Sequence, residues 1–232
     1  MKTIISILAL FLISLNGRSQ VHFSINAGPN FGNIKTTSED VGIDSKLAIG
    51  YIFTGYAHIP VSNNLKILTG LEYESIHAKI DFSESEDYGG GAYSKIIIKA
   101  KQHLDYVNIP LKLMYSPVIK AKGKLEIGGG PFIGIGLSGK GKGTYYEEYS
   151  DGITLTKDEE TIDEKIKFGS GDDDNYKRIN FGLGLNVAYS TSSNLRLGVY
   201  TNIGLSNIDA DPDSKTKTFT VGLTVGYVFG AK

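Results

Sequence analysis

The sequence predicts an all-β fold, an eight-stranded antiparallel up-and-down transmembrane β-barrel with short periplasmic turns and long extracellular loops. Three observations predict it. Apolar residues recur at every second position in eight segments, the connections between these segments are alternately short and long, and the opposite face of each segment is polar and rich in glycine. A chain of 232 residues is long enough for one such domain.

The N-terminus is typical of a secretory signal peptide. Lys2 supplies a positive charge, and the apolar run 4–15 is shorter than the ~20 residues that a helical membrane span needs. Gly17 and Ser19 are the small residues expected just before a cleavage site at Gln20. We therefore expect residues 1–19 to be a signal peptide and residues 20–232 to form the barrel domain, with an uncleaved anchor helix as the less favoured alternative.

The eight strands are predicted from alternation, and the clearest of them is residues 177–190. There, large apolar side chains alternate with Asn, Gly and Ala from Ile179 to Tyr189, and a period of two is typical of a strand with two unlike faces. The predicted strands are about 22–31, 47–59, 65–80, 96–115, 124–138, 177–190, 194–206 and 218–229. Their alternating apolar series start, in order, at Phe23, Leu47, Leu65, Val107, Leu125, Ile179, Leu195 and Phe219.

The connections between these strands alternate in length. Short turns at one end and long loops at the other are typical of outer-membrane barrels, whose turns are periplasmic and whose loops are extracellular. An even number of strands returns both termini to the periplasmic end. The short connections are 60–64, 116–123 and 190–193, and the long ones are 32–46, 81–95, 139–176 and 207–217.

The two faces of each strand indicate which one meets lipid. Glycine weakens a strand and packs nothing, so it is a poor choice for a solvated face, whereas it suits the narrow interior of an eight-stranded barrel. Aromatic residues of the apolar face lie near both strand ends, as expected at two lipid–water interfaces. We expect the apolar face to meet lipid. The alternative is a soluble, lipocalin-like periplasmic binding protein with its large apolar residues inside.

The composition excludes several classes of function. The chain has no Cys, so disulfides and thiolate metal sites are excluded, and a net charge of −1 gives no basic excess for nucleic acid. The four His residues show no metal-ligand spacing, and no nucleophile is paired with a base. The sequence therefore predicts neither an enzyme nor a bound cofactor or metal.

The polar face predicts a network of side chains inside the barrel. Its charges balance, three acidic against three basic, and charges in a narrow lumen need partners because unpaired burial is costly. We expect a structural plug of ion pairs and hydrogen bonds, with a gated ion path as the functional alternative. The candidate residues are Glu72, Glu74, Tyr106, Lys112, Glu126, Arg178, Arg196 and Tyr200.

Basic residues extend the outward-facing positions of the third and fourth predicted strands beyond the apolar band. A solvated face is the default interpretation, and contact with lipopolysaccharide phosphates is the sharper one, because Lys point charges suit phosphate. The residues are His77, Lys79, Lys99, Lys101 and His103. Outer-membrane lipid, lipopolysaccharide and a protein bound by the extracellular loops, above all 139–176, are the expected partners.

One acidic stretch has part of a calcium-loop pattern. Asp209, Asp211 and Asp213 stand at the first, third and fifth positions of such a loop. Ser214 and Thr220 replace the Gly and Glu that the loop requires at its sixth and twelfth positions. A solvated loop is therefore the default interpretation.

Four stretches carry a resemblance to a known family. They are "NAGPNFGN" (26–33), "LDYVNIPLKLMY" (104–115), "GGGPFIGIGL" (128–137) and the closing "TVGLTVGYVF" (220–229). Together they resemble the PorT-like outer-membrane β-barrel family, with Tyr106, Ile109 and Pro110 matching a motif in one of its strands. The resemblance implies a small barrel of the outer membrane. The occupied lumen and the long loops favour a structural or interaction role, with a narrow gated channel or a secretion-associated barrel as the alternative.

Overall fold

The computed structural model describes residues 21–37, 42–43, 45–117, 123–171 and 173–230. The expected signal peptide, residues 1–19, lies outside the described residues. The described residues contain no helix long and apolar enough to cross a membrane. The strands are β1 (His22–Thr37), β2 (Gly42–Ile43), β3 (Lys46–Pro60), β4 (Leu65–Gly89), β5 (Ala92–Tyr115), β6 (Gly123–Asp151), β7 (Leu155–Ile166), β8 (Ile179–Thr191), β9 (Leu195–Gly204) and β10 (Lys215–Phe229).

Eight of these strands close into a ring. The order is β1, β3, β4, β5, β6, β8, β9 and β10, and β10 pairs back onto β1, with Phe23 opposite Phe229. Every pairing between these strands is antiparallel. The predicted eight-stranded barrel is therefore confirmed, and two further strands, β2 and β7, pair at its edge outside the ring.

The large apolar side chains face outward, as predicted. Phe23 is 57% exposed and Leu185 is 55% exposed, whereas the alternate positions hold buried polar groups such as Asn26 and Asn180. An apolar outer band with a polar interior suits lipid outside and a polar lumen inside. The fold is that of an outer-membrane barrel, and the soluble, lipocalin-like alternative is wrong because it requires these apolar residues inside.

Glycines on the lumen side bring neighbouring strands close together. A Cβ atom on Gly28 would collide with the carbonyl oxygen of Leu223, and one on Gly130 would collide with that of Leu111. Only a residue without a side chain fits at such positions. The glycine-rich face is therefore a requirement of the narrow barrel.

The two ends of the barrel differ in a way that corrects the predicted loops. Only short segments, 61–64, 116–122 and 192–194, separate the strands at the periplasmic end. At the other end, β4 and β5 continue as a hairpin almost to its tip at Gly90, and β6 continues to Asp151 and pairs with β7. Residues 81–95 and most of 139–176, predicted as loops, are thus mainly strands. Outside the lipid, strand pairing no longer requires the strict apolar alternation on which the prediction relied.

These extensions form a four-stranded layer that we call the extracellular sheet. It comprises residues 80–87 of β4, 93–100 of β5, 141–150 of β6 and 155–166 of β7.

A β-bulge in β6 changes which side chains face outward above the lipid. Tyr106 lies opposite Gly136, but the preceding residue, Asp105, lies opposite Ser138, so Leu137 is an additional residue on β6. Beyond this bulge the alternation of β6 is reversed. Lys140 and Lys142 consequently face outward, on the same side as the outward residues of β5.

Candidate functional site

The periplasmic part of the lumen holds a buried ion triad. Glu126 of β6 accepts hydrogen bonds from Lys66 of β4 and Arg196 of β9, one on each carboxylate oxygen. All three side chains are largely shielded from solvent. Lys66 was not predicted in the lumen, although it lies at an even position on β4, as Glu72 does, and alternation was sufficient to identify it. The triad carries one excess positive charge.

The middle of the lumen holds two neighbouring carboxylates with different partners. Glu72 accepts hydrogen bonds from Lys112 Nζ at 2.6 Å and from the Tyr56 hydroxyl at 2.6 Å. Asn202 bridges the two carboxylates, with its Nδ2 at 3.2 Å from Glu72 and 3.1 Å from Glu74. Lys112 is completely buried, so its charge depends on Glu72 for compensation.

Glu74 is held by neutral donors. The hydroxyls of Tyr200 and Thr220 donate to Oε1 at 3.0 Å and 2.7 Å, and Asn108 donates to Oε2 at 2.9 Å. With Asn202, four donors satisfy this buried carboxylate without a cation of its own. With both carboxylates counted as ionised, the formal charge of the middle group is −1, opposite in sign to that of the triad below it.

The extracellular end of the lumen is apolar. The ring of Tyr106 packs edge-on against Phe168 at 5.5 Å between centroids. A Cβ atom on Gly136 would collide with the Phe168 ring, so this glycine makes room for it. We call this cluster the apolar lid: Ile34, Ile76, Ala78, Leu104, Tyr106, Phe168 and Ile208.

Two predicted members of the polar lumen network therefore have other roles. Tyr106 is buried in the apolar lid, and its hydroxyl has no hydrogen-bond partner among the described residues. Arg178 is exposed, because it precedes the first residue of β8 and lies above the lumen. Its Nη2 donates to the carbonyl of Phe168 at 2.9 Å. This bond holds the segment between β7 and β8 that carries Phe168, which we call the lid segment. No sequence signal pointed to Phe168, because the segment after β7 has no regular period.

The predicted basic residues lie together on the outer surface just above the apolar band. Lys79 is opposite Lys101, and His77 is opposite His103, with 5.5 Å between the ring centroids. Burial lowers the pKa of His77 below its usual value, and electrostatic repulsion from the neighbouring His103 lowers it further. Lys99 lies one outward position higher on β5.

Two further lysines complete this surface. Lys140 lies opposite His103, and Lys142 lies opposite Lys101, so a row of basic groups crosses β4, β5 and β6. Asp163 accepts hydrogen bonds from Lys140 at 2.7 Å and lies 3.4 Å from Lys142. Neither lysine was predicted here, because residues 139–176 were predicted as a loop. Alternation continued from Leu137 would also place both of them inside, since it does not include the bulge. A surface cavity of about 440 Å³ is lined by ten residues. Six of them are lysines or histidines, and we call these six the basic groove: His77, Lys79, Lys101, His103, Lys140 and Lys142.

Two other groups of polar residues, a Ser–His pair and the acidic stretch 209–213, do not form a catalytic or metal site. Ser24 Oγ and His58 Nε2 are 2.8 Å apart, a pairing that the sequence analysis did not find, but both side chains are buried inside the barrel. In the acidic stretch, the carboxylates of Asp209 and Asp211 accept the backbone N–H groups two residues further on. The part of the chain that the structure describes contains no group of three or more potential metal ligands.

Comparisons with known proteins place the chain among outer-membrane barrels. The sequence profile described as "Outer membrane protein beta-barrel domain" matches residues 14–210. Among solved structures, the attachment invasion locus protein Ail of Yersinia pestis is 14% identical over 90% of this chain and 99% of that chain, with a TM-score of 0.40. OprG of Pseudomonas aeruginosa is 12% identical over 93% and 99%, with a TM-score of 0.41. A major outer membrane protein from Thermus thermophilus is 15% identical over 90% and 100%, with a TM-score of 0.37. The comparison with curated proteins finds no match.

Proposed function

We propose, given that the chain belongs to the family of outer membrane protein β-barrel domains, that it serves as a non-enzymatic contact protein of the cell envelope. Its extracellular sheet is the contact surface. The observation that carries the proposal is the length of the strands: β4 has 25 residues, β5 has 24 and β6 has 29. A barrel strand needs only about 9–11 residues to cross the membrane. The remaining residues of β4, β5 and β6 form an ordered layer outside the membrane.

The filled lumen supports a contact role over an open channel. An eight-stranded barrel has an interior just wide enough for side chains. Here the ion triad, the two carboxylates with their donors and the apolar lid occupy successive levels of it. We further propose that residues 1–19 are removed on export, and that the chain lies within the PorT-like group, on the strength of residues 104–115.

The basic groove is proposed to contact the phosphates of lipopolysaccharide. It lies directly above the apolar band, at the level of the outer-leaflet headgroups, and it combines four lysines with two histidines. The nearby carboxylates are Asp163, which pairs with Lys140 and Lys142, Asp81, which pairs with Lys46, and Asp105, which interacts electrostatically with His77. Lysine binds phosphate as a point charge. Lys99, one outward position above, extends the same positive surface.

Lipopolysaccharide binding tests this proposal. We expect the folded barrel to retain phosphorylated lipopolysaccharide after detergent extraction, and the Lys79→Ser/Lys101→Ser variant to retain at least about fivefold less, because two charge contacts with phosphate are lost. The matched control is Lys95→Ser/Lys157→Ser, which removes two lysines from the same surface roughly 20 Å further from the membrane. Equal retention by both variants, or equal binding of dephosphorylated lipopolysaccharide, contradicts the proposal.

A further inference from the structure

The two faces of the extracellular sheet differ in charge. Its strands continue those of the barrel, so one face, which we call the inner face, continues the lumen side above the apolar lid. The other, the outer face, continues the lipid-facing side. The inner face carries six acidic residues and no basic one: Glu84, Glu86, Glu147, Asp158, Glu160 and Glu164. The outer face carries five of each sign: Asp81, Asp87, Glu148, Glu159 and Asp163 against Lys95, Lys99, Lys142, Lys157 and Lys165.

The two faces also differ in their ion pairs. On the outer face, Asp81 pairs with Lys46, Asp163 with Lys140 and Lys142, and Glu148 with Lys157. On the inner face, none of the six acidic residues forms an ion pair with any described residue. Only Glu86 and Glu147 have side-chain partners there, the hydroxyls of Tyr88 and Tyr145. Their negative charge is therefore uncompensated by the described part of the protein.

The centre of the inner face is apolar. Phe82 of β4 lies opposite Ile98 of β5, which lies opposite Tyr145 of β6. One level lower, Ile80 aligns through Ala100 and Gly143 with Ile162 of β7. These side chains are half-buried, without a further layer of the described protein over the upper row.

A groove lies where the inner face meets the lid segment. It has a volume of about 310 Å³, and its walls include Ile80, Ile162, Ile166 and Tyr176. Glu164 lies at its edge. Lys101 and Lys142 also line this groove. Its apolar walls are continuous with the apolar row above it.

We propose that the inner face binds a cationic, amphipathic polypeptide segment of an extracellular partner. The inference rests on the proposed contact role and names its surface and partner chemistry. Six acidic groups without counter-charges attract a basic segment and repel anionic polysaccharide or nucleic acid. The apolar row and groove then accommodate apolar side chains between the basic ones, as in interfaces with an apolar centre and a polar rim.

Peptide binding to the mature barrel in zwitterionic lipid nanodiscs tests the inference, with empty nanodiscs as the blank. The probe is a fluorescein-labelled peptide of alternating lysine and leucine, followed by fluorescence anisotropy. We expect saturable binding that weakens as salt is raised, because the charges are exposed and screened. A peptide of alternating glutamate and leucine is expected not to bind, and one of alternating lysine and serine to bind at least about tenfold more weakly, because it lacks apolar groups to bury.

Matched variants on the two faces locate the site. Glu147→Gln/Glu160→Gln removes two charges from the inner face, and Glu148→Gln/Glu159→Gln removes two from the adjacent outward positions of the same strands. We expect at least about tenfold weaker binding for the first variant and less than about twofold change for the second. Ile98→Ser and Ile97→Ser form the corresponding apolar pair. Migration in gels with and without boiling verifies that every variant is a folded barrel.

The outcomes separate this inference from the proposed function. Absence of peptide binding, or equal loss from both faces, overturns the inference. Equal binding of the lysine–serine peptide overturns it as well, because the site is then a general cation site. Lipopolysaccharide retention through the basic groove is measured on the same samples and does not depend on Glu147 or Glu160. If retention persists without peptide binding, only this inference fails, whereas loss of both defeats the contact role.

Discussion

The lumen and the inner face of the extracellular sheet are formed by the same side of the same strands. Their acidic residues nevertheless differ in whether they have hydrogen-bonding or basic partners. In the lumen, Glu72 and Glu126 contact basic side chains, and Glu74 is satisfied by four neutral donors. On the inner face, Glu147 and Glu160 have no basic neighbour among the residues paired with them. Burial makes an unpaired charge costly, whereas water compensates an exposed one. Partners in the lumen are therefore required by stability, and their absence outside leaves the charge available for binding.

The largest expected effect is on the stability of the lumen. Lys112→Met leaves Glu72 buried without its cation, and we expect the free energy of unfolding to fall by about 3–5 kcal/mol. Urea unfolding in lipid vesicles, followed by the gel migration of the folded barrel, measures it. Lys112→Met combined with Glu72→Gln is expected to recover most of the loss, because neither charge is then left unpaired.

The control for this prediction comes from the surface. Lys46→Met removes a lysine whose partner, Asp81, is exposed, and we expect no measurable change in unfolding. Equal destabilisation by Lys46→Met and Lys112→Met contradicts the distinction between the two regions.

The second effect concerns the apolar lid, which separates the two regions. Gly136→Leu places a side chain where Phe168 packs, and we expect the lid segment to open. Because the lost packing amounts to a few kcal/mol, tryptic cleavage after Lys167 and Lys177 is expected to rise at least about tenfold. Gly141→Ala is the control, since a Cβ atom there has no neighbour within 4 Å. An unchanged cleavage rate in Gly136→Leu shows that Phe168 does not hold the segment.

The barrel itself is well predicted from the sequence because lipid imposes strict alternation on every strand that crosses it. Glu72, Lys112, Glu126 and Arg196 are predicted in the lumen for the same reason, and Lys66 was accessible by the same alternation. Above the lipid this constraint ends. The strands of the extracellular sheet are therefore not predicted from alternation, because segments such as 155–166 are charged on both faces.

Two local features limit prediction of the sites. The bulge at Leu137 reverses the alternation of β6, and Lys140 and Lys142 fall in residues 139–176, which were predicted as a loop, so neither was predicted in the basic groove. Phe168 reaches the lumen from an irregular segment, and its position depends on the space beside Gly136. Single insertions and long-range packing of this kind leave no periodic signal in one sequence.

The smallest expected effect is a pH dependence confined to the outer face. Hydrogen bonds from the hydroxyls of Tyr146 and Tyr93, together with Lys157, lower the pKa of Glu148 to about 2 from its usual value of 4.5. A carboxylate whose pKa is lowered by folding stabilises the folded form above its unfolded pKa, and this contribution is lost as the pH falls towards the folded value. We therefore expect amide exchange in β6 and β7, corrected for its intrinsic pH dependence, to become faster between about pH 4.5 and pH 2. Glu148→Gln should remove this dependence, and an identical pH profile in the variant contradicts the assignment. Because Glu148 lies at the surface, the change is expected to remain local to the sheet and to leave unfolding of the barrel unaltered.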